Sequence, residues 1–313
     1  MEEKDKNAFL GVVLMIAPVL VMLFVSGLIS VIGSAIYGVI SAFGARVDGT
    51  NMYDMTAMQG GLAIGDLIAV LSLIADIIVA LIAFFWWRKI RRIEVPVSKA
   101  FNLKKIGFLV MCGIGLQVIV SLCLGGILSI LPESISEEYE ALSEGLTGTG
   151  TTSIPMFLLV VFAAPICEDL ITRGVALNYG RRHMSDIAAV IISSLAFGLM
   201  HLSNASLTGF AGVMVQVVYA TVLGVVLAII VIKFKSVWAG VFTHFIINLT
   251  GQLLSLLQGK ETVETVGTVV FYVLGAFSVV GVILMLKLKI VTKTEGETYG
   301  EIKDKAMVAE FEN

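Results

Sequence analysis

Residues 62–87 read LAIGDLIAVLSLIADIIVALIAFFWW. An α-helix rises 1.5 Å per residue, so about 20 apolar residues are enough to cross the hydrocarbon core of a bilayer, which is roughly 30 Å thick. This stretch is longer than that minimum, and its only charged residues are Asp66 and Asp76. We therefore predict that it is a membrane-spanning helix.

Seven other stretches have a similar length and a similar apolar character. They lie near 8–30, 106–131, 154–180, 185–203, 207–232, 236–256 and 266–287. The first apolar run continues to about residue 43, which leaves room for an interfacial or re-entrant piece after the first span. The composition agrees, because 58% of the residues are hydrophobic and 14% are charged, against about 45–50% and roughly 25% in a soluble domain. The sequence thus predicts an all-α, polytopic transmembrane helical bundle of about eight spans.

The basic residues of the predicted loops follow an alternating pattern. The loops after the second, fourth, sixth and eighth spans hold lysines and arginines, for example Arg88, Lys89 and Arg181. Loop 132–153 instead contains five glutamates and neither lysine nor arginine. Since an excess of Lys and Arg marks the cytoplasmic side, we predict a multi-pass protein of the plasma membrane with both termini cytoplasmic. The sequence has no basic stripe of the kind that binds nucleic acid, so nucleic acid is not an expected partner.

Several ionisable side chains lie inside the predicted spans, where a charge is energetically costly and usually functional. They are Asp66 and Asp76 in the second span, Glu168, Asp169 and Arg173 in the fourth, His201 near the end of the fifth and His244 in the seventh, joined by the amide of Asn248. Residues four apart share a helix face, so the spacing predicts an ion pair between Asp169 and Arg173. It also gives His244 and Asn248 a common face. Glu168 lies about 100° around the helix from Asp169 and is free to point elsewhere.

The loops also indicate how deep these groups lie. The fourth and fifth spans form a helical hairpin that turns near residues 181–184. Glu168 lies about 15 residues before this turn and His201 about 18 residues after it, which places them at the same height within roughly one helical turn. His244 and Asn248 lie roughly 13–20 Å from the basic end of the seventh span. We therefore predict that these four groups, from three helices, meet near the middle of the membrane.

Three short motifs run through these residues. Residues 167–174, CEDLITRG, resemble the E-E-x-x-x-R-G motif of the CPBP family, which comprises the type II CAAX prenyl endopeptidases and their bacteriocin-immunity (Abi) relatives. Residues 197–201, FGLMH, resemble its F-x-x-x-H motif, and residues 244–248, HFIIN, resemble its H-x-x-x-N/D motif. The resemblance covers roughly 154–256, about a third of the chain, and it departs from the family where Asp169 replaces the second glutamate.

The resemblance, together with the predicted spans, implies a division of the chain. Residues 1–153 would form three N-terminal transmembrane helices and an acidic loop, 154–256 a catalytic core like that of the CAAX proteases, 257–290 the last transmembrane helix, and 291–313 a polar cytoplasmic tail. It also implies a hydrolase, an intramembrane endopeptidase that cleaves a hydrophobic or lipidated peptide or protein in contact with membrane lipid.

The same resemblance assigns roles to the site residues. The catalytic residues would be Glu168, His201, His244 and Asn248, with Asp169 and Arg173 in support. The glutamate would act as a general base on a water molecule, and His201 would hold or polarise that water. The side chains of the third motif would face the oxygen of the tetrahedral intermediate.

The resemblance leaves open whether a metal takes part. The CPBP family is widely described as a family of metalloproteases, and a catalytic zinc ion binds about three protein ligands and a water. The candidate ligands are Glu168, His201 and His244. The sequence lacks the H-E-x-x-H motif, however, and a glutamate-activated water without a metal has also been argued for the family. The cofactor is therefore either Zn²⁺ or none.

Other functions also fit a polar cluster inside a membrane. A non-catalytic immunity or scaffold protein would use it to bind a partner, and a transporter would place it near the midplane of the bilayer. The inverted repeats and paired broken helices of transporters are not evident in the sequence. An aspartyl protease would need two facing carboxylates, whereas Asp66 and Asp76 share one predicted helix.

Overall fold

The computed structural model describes residues 7–48, 60–92, 94–147, 153–206, 209–257, 261–288 and 297–311. All regular structure in these ranges is helical, and none of it is β-strand. Among the described residues, eight helices are long and apolar enough to cross a membrane: Ala8–Ile36, Asp66–Ile90, Leu103–Leu128, Ile154–His183, Asp186–Ala205, Phe210–Phe234, Val237–Ser255 and Thr265–Lys287. The prediction of an all-α, multi-pass membrane protein with eight spans is confirmed.

The N-terminal half contains three of these spans and two shorter helices. They are α1 (Ala8–Asp48), α2 (Gly60–Ile90), α3 (Val97–Ala100), α4 (Leu103–Leu128) and α5 (Glu133–Thr147). Helix α1 is continuous over 41 residues, so the expected interfacial or re-entrant piece is instead an extension of the first helix. The sequence from residue 31 to residue 48 contains no proline, so every backbone donor needed to continue the helix is present.

The C-terminal half contains the other five spans. The fourth span consists of α6 (Ile154–Leu158), α7 (Ala164–Asp169) and α8 (Leu177–His183), joined by π-helical turns at Leu159–Ala163 and Leu170–Ala176. It is followed by α9 (Asp186–Met200) with a 3₁₀ turn (His201–Ser206), α10 (Phe210–Phe234), α11 (Val237–Ser255), α12 (Glu261–Lys287) and α13 (Tyr299–Phe311). The predicted hairpin between the fourth and fifth spans is confirmed, and Ser185 caps α9 by accepting a hydrogen bond from the Ala188 N–H.

The first π-helical turn of the fourth span is followed by a proline. In a π-helix each N–H donates to the carbonyl five residues earlier, as the Ala164 N–H does to the Leu159 carbonyl. The Val160 carbonyl would need the N–H of residue 165, but Pro165 has none. Pro165 therefore leaves a backbone acceptor inside the membrane that a side chain must satisfy.

Helix α5 lies where the sequence predicted an acidic loop. Its apolar residues recur with helical spacing at Ile135, Tyr139, Leu142 and Leu146. Leu142 is buried against Val213 and Val217 of α10, and the Glu138 carboxylate accepts a hydrogen bond of 2.9 Å from the Gly212 N–H in the first turn of α10. The predicted acidic loop is therefore wrong for Glu133–Thr147, which form an amphipathic helix that packs on the bundle.

The fourth span lies in the middle of the bundle, in contact with α1, α2, α9 and α11. The main core cluster joins it to these helices through residues such as Trp87, Cys167, Ile171, Phe197 and Val237. Helix α2 approaches it closely, because a Cβ on Gly174 would lie 3.4 Å from the Trp87 ring. Any polar group on this span is therefore enclosed by neighbouring helices.

Part of the predicted polar tail is a helix. The Gly300 N–H at the start of α13 donates a hydrogen bond of 3.4 Å to the Arg92 carbonyl, just beyond the end of α2. Residues 291–296 and 312–313 of the tail lie outside the described residues. The tail thus contributes an ordered element that contacts the basic end of the second span.

Candidate active site

Asp169 lies at the centre of a buried ionic network. Its Oδ1 lies 3.1 Å from Arg173 Nη1, one turn further along the fourth span, and its Oδ2 lies 2.9 Å from His244 Nδ1 on α11. The side chains of Asp169 and Arg173 are fully buried, and that of His244 is 7% exposed. The predicted ion pair is confirmed. Buried charges need such partners, because an unpaired charge in the interior is strongly destabilising.

Arg173 is fixed by contacts from three helical elements. Its Nη1 donates a hydrogen bond of 2.8 Å to Thr172 Oγ1, and its Cζ lies 4.1 Å from the centre of the Phe197 ring, which is a cation–π contact. Gly224 of α10 gives the guanidinium room, because a Cβ there would lie 3.2 Å from Arg173 Nη2. Arg173 in turn holds Asp169 in position.

Glu168 faces the second nitrogen of the same histidine. Its Oε2 lies 3.9 Å from His244 Nε2, and its side chain is 16% exposed. This distance is too long for a direct hydrogen bond, but one water molecule can bridge two polar groups so separated. His244 thus lies between two carboxylates, with Nδ1 toward Asp169 and Nε2 toward Glu168.

His201 begins the 3₁₀ turn after α9. Its Nδ1 lies 2.9 Å from the carbonyl oxygen of Phe197. Its ring packs edge-on against the Phe197 ring at a centroid distance of 5.2 Å, and the same phenylalanine packs edge-on against His244 at 5.7 Å. His201 is therefore joined to the network through Phe197, within electrostatic range of His244 and Arg173.

Asn248 satisfies the acceptor that Pro165 leaves open. Its Nδ2 donates a hydrogen bond of 2.8 Å to the Val160 carbonyl. His244 and Asn248 thus face the fourth span together, as their spacing predicts. Asn248 contacts that span about two turns before Glu168, since Val160 precedes Glu168 by eight residues. The interaction links the third motif to the helix that carries the first.

Asp76 is a further charged residue at this site, and it lies outside the three motifs. The Asp76 carboxylate lies next to the Cys167 thiol and is close enough to Glu168 to interact with it electrostatically. The sequence signal for Asp76 was a carboxylate in the middle of the second predicted span. Asp66 lies roughly 15 Å further along α2, so the two aspartates do not face each other as a catalytic dyad.

The candidate metal ligands are not arranged as a metal site. Within the ranges that the structure describes, no three His, Cys, Asp or Glu side chains converge as a metal ion requires. Glu168 and His244 face each other, but His244 Nδ1 is paired with Asp169, and His201 Nδ1 with a backbone carbonyl. A catalytic zinc ion takes about three protein ligands. Glu168, His201 and His244 do not supply that set here.

Comparison with known proteins identifies the segment that carries this site. Neither the curated proteins nor the solved structures include a match to the chain. Residues 150–250, about a third of the chain, match the family model described as type II CAAX prenyl endopeptidase Rce1-like, which is a protease family. This range contains all three motifs and six of the residues described above: Glu168, Asp169, Arg173, His201, His244 and Asn248. This match supports membership of the CPBP family of type II CAAX prenyl endopeptidase-like proteins for the segment that carries the site.

Proposed function

We propose that the protein is an intramembrane endopeptidase that hydrolyses a peptide bond in a lipidated or otherwise hydrophobic peptide or protein. One observation supports this most directly: the Glu168 carboxylate faces His244 Nε2 at 3.9 Å in a polar site enclosed by membrane-spanning helices. A carboxylate and an imidazole at this separation can hold one water molecule between them. The family match of residues 150–250 supports the same reaction class.

In the proposed reaction Glu168 acts as the general base. It accepts a proton from the water as the water oxygen attacks the carbonyl carbon of the scissile peptide bond. A C–O bond forms, and the carbonyl oxygen takes up negative charge. When the C–N bond breaks, Glu168 returns the proton to the departing nitrogen. The products are a carboxylic acid and an amine, and Glu168 is ready for the next water.

His244 is oriented for this step by Asp169. Asp169 is paired with Arg173 and is therefore an acceptor, so Nδ1 of His244 donates to it. That bond directs Nε2 toward Glu168 and the water. An imidazole fixed in this way can hold the water or, when protonated, stabilise a developing negative charge.

His201 and Asn248 complete the proposed site. His201 helps to hold or polarise the water from the side of Phe197, and Asn248 faces the tetrahedral oxygen. The Asn248 amide has a second N–H besides the one that bonds to Val160, so it can anchor the fourth span and still donate to the substrate.

The first test is the substitution Glu168→Gln, which keeps the shape of the side chain and removes the base. Membranes from cells that make equal amounts of the wild type or the variant are compared by quantitative mass spectrometry of their peptides. We expect a set of cleavage products only with the wild type, because loss of a general base lowers a rate by about 10²–10⁴-fold.

The matched control for this test is Glu140→Gln. Glu140 is an exposed glutamate on α5, and its substitution removes the same charge elsewhere in the chain. This variant should give the wild-type products. If Glu168→Gln also gives the wild-type products, the protein is not a protease, and binding, immunity or transport becomes the function to examine.

A further inference from the structure

A polar cavity lies at the C-terminal end of the fourth span. It has a volume of about 180 Å³ and is lined by the ends of α2 and α8 and by α13; the lining residues are Lys89, Ile90, Arg91, Arg92, Arg182, Gly300, Lys303 and Asp304. Arg182 lies 14 residues beyond Glu168, which is roughly 21 Å along the helix axis. The cavity is therefore separate from the candidate active site.

This cavity has a strong excess of positive charge. Five of its lining side chains are basic and one, Asp304, is acidic. Asp304 Oδ1 lies 3.7 Å from Arg92 Nη2. Such a concentration of Lys and Arg around one hollow repels cations and attracts an anion.

Two of the cations are positioned by neutral groups. Arg182 Nη2 donates to the Ile90 carbonyl, and Lys303 Nζ donates to the Lys89 carbonyl at 3.1 Å. These bonds hold the two side chains at the C-terminal end of α2 without neutralising their charge. The buried Nε of Arg182 has no hydrogen-bond partner among the described residues, which leaves a donor for a ligand.

The cavity lies at the depth of lipid headgroups. Ile90 and His183 are the last residues of the second and fourth spans, so the hollow between them lies where the chain leaves the hydrocarbon. About one helical turn deeper, Trp86 Nε1 donates to Tyr179 Oη at 3.0 Å. Trp and Tyr are enriched at this level of membrane proteins.

We propose that this cavity binds the phosphate group of an anionic phospholipid. Arg182 and Lys303 contact the phosphate oxygens, because guanidinium and ammonium groups form charge-assisted hydrogen bonds with phosphate. Basic pockets between spans bind anionic headgroups in this way. A bound lipid also links α13 to the ends of α2 and α8, since Lys303 belongs to α13 and Arg182 to α8.

The test measures lipid binding to the full-length protein purified in detergent. Native mass spectrometry gives the affinity for phosphatidylglycerol, with phosphatidylcholine as the zwitterionic reference. The variant is Arg182→Gln/Lys303→Gln, and the control is Lys104→Gln/Lys233→Gln, which removes two exposed charges from the ends of α4 and α10, outside the cavity. Each Lys or Arg near an anionic lipid contributes about five-fold in affinity, so the variant should bind roughly 30-fold more weakly and the control like the wild type.

A single variant and a soluble ligand distinguish lipid binding from misfolding and from phosphate binding. Lys303→Gln alone changes an exposed side chain, so it should fold and bind roughly five-fold more weakly even if the Arg182 substitution disturbs the fold. Thermal unfolding is also measured with inorganic phosphate. If phosphate stabilises the protein as well as phosphatidylglycerol does, the anion site stands and its ligand is soluble phosphate. The proposal is wrong if the control loses as much lipid affinity as the double variant. It is also wrong if neither the double variant nor Lys303→Gln loses any affinity.

Discussion

Asp169 contacts both Arg173 and His244, so one carboxylate determines which nitrogen of the histidine faces Glu168. The side chain of Asp169 is one methylene shorter than a glutamate, but it reaches His244 because α11 lies close to the fourth span. A Cβ on Gly240 would lie 3.5 Å from Asp169 Oδ1. Asp169, which stands where the CPBP motif has a second glutamate, therefore still contacts both Arg173 and His244.

Asp76 provides the first prediction at the scale of single residues. Asp76→Asn removes the carboxylate that interacts electrostatically with Glu168 and leaves an amide of the same shape beside Cys167. We expect kcat to fall by roughly ten-fold or more while KM changes little, because the substitution acts on the proton transfer and not on substrate binding. Steady-state kinetics with a cleavage product identified as above would measure both constants.

The control for Asp76 is on the same helix. Asp66→Asn changes the same chemical group roughly 15 Å away, so its kcat should equal that of the wild type. Equal rates for Asp76→Asn and the wild type would show that Asp76 only packs between α2 and the fourth span. If thermal stability falls together with kcat, Asp76 also has only a packing role.

At the scale of helices, Glu94 fixes the position of α11 relative to the end of α2. It lies in the short connection after α2, and its Oε1 accepts a hydrogen bond of 2.6 Å from the Val237 N–H at the start of α11. The side chain is 1% exposed. Burial raises the pKa of this carboxyl from 4.5 to about 8, against the smaller opposing effects of the Val237 N–H and Arg91. Glu94 therefore joins the loop to the helix that carries His244.

The raised pKa of Glu94 predicts how stability depends on pH. The folded protein binds a proton at Glu94 more tightly than the unfolded chain does, so this contribution to stability is complete below pH 4.5 and is lost as the pH rises to about 8. In Glu94→Gln the side chain is neutral at every pH and can still accept the Val237 bond. We expect the difference in Tm between this variant and the wild type to grow in favour of the variant from pH 5 to pH 8.

Thermal unfolding at several pH values measures this difference. Glu144→Gln, an exposed substitution on α5, should follow the wild type at each pH. A constant difference between Glu94→Gln and the wild type would contradict the assignment of the pH dependence to Glu94.

Helix packing at Gly224 gives another prediction at this scale. A Cβ there would lie 3.0 Å from the Ser194 Cβ and 3.2 Å from Arg173 Nη2, so Gly224→Ala must displace α9 or the guanidinium. We expect a loss of about 1–3 kcal/mol in stability and a lower rate of cleavage. Gly107→Ala on α4 is the control, because a Cβ there meets nothing within 4 Å and alanine favours a helix. Unfolding in denaturant compares the two, and equal stabilities would refute the packing argument.

At the scale of the whole molecule, the sequence predicts the spans because each long apolar run must be a helix in lipid. It also predicts that Glu168 and His244 meet, because spacing and depth bring their spans to one level. It does not predict that α2 brings Asp76 to the same place, since the order of helices around a bundle depends on packing between distant segments. The helical tail was missed for the same reason, because α13 is held by contacts with the end of α2.

The orientation of the bundle is a prediction for the whole molecule. From the distribution of Lys and Arg we expect both termini to be cytoplasmic. An epitope inserted at residues 148–152 should be labelled by an antibody on intact cells, and an epitope at the C-terminus only after permeabilisation. The reverse pattern would show that the basic loops face outward.

The two π-helical turns of the fourth span have a consequence for comparing sequences. Each π turn holds one residue more than the α turn that it replaces, which rotates everything beyond it by about 100° relative to a regular helix. The side of Ile154–His183 that faces the rest of the protein therefore shifts by about 100° at Leu159–Ala163 and again at Leu170–Ala176. A helical wheel drawn through the whole span would misassign faces, and a relative that lacks one residue in either turn would aim its glutamate in a different direction.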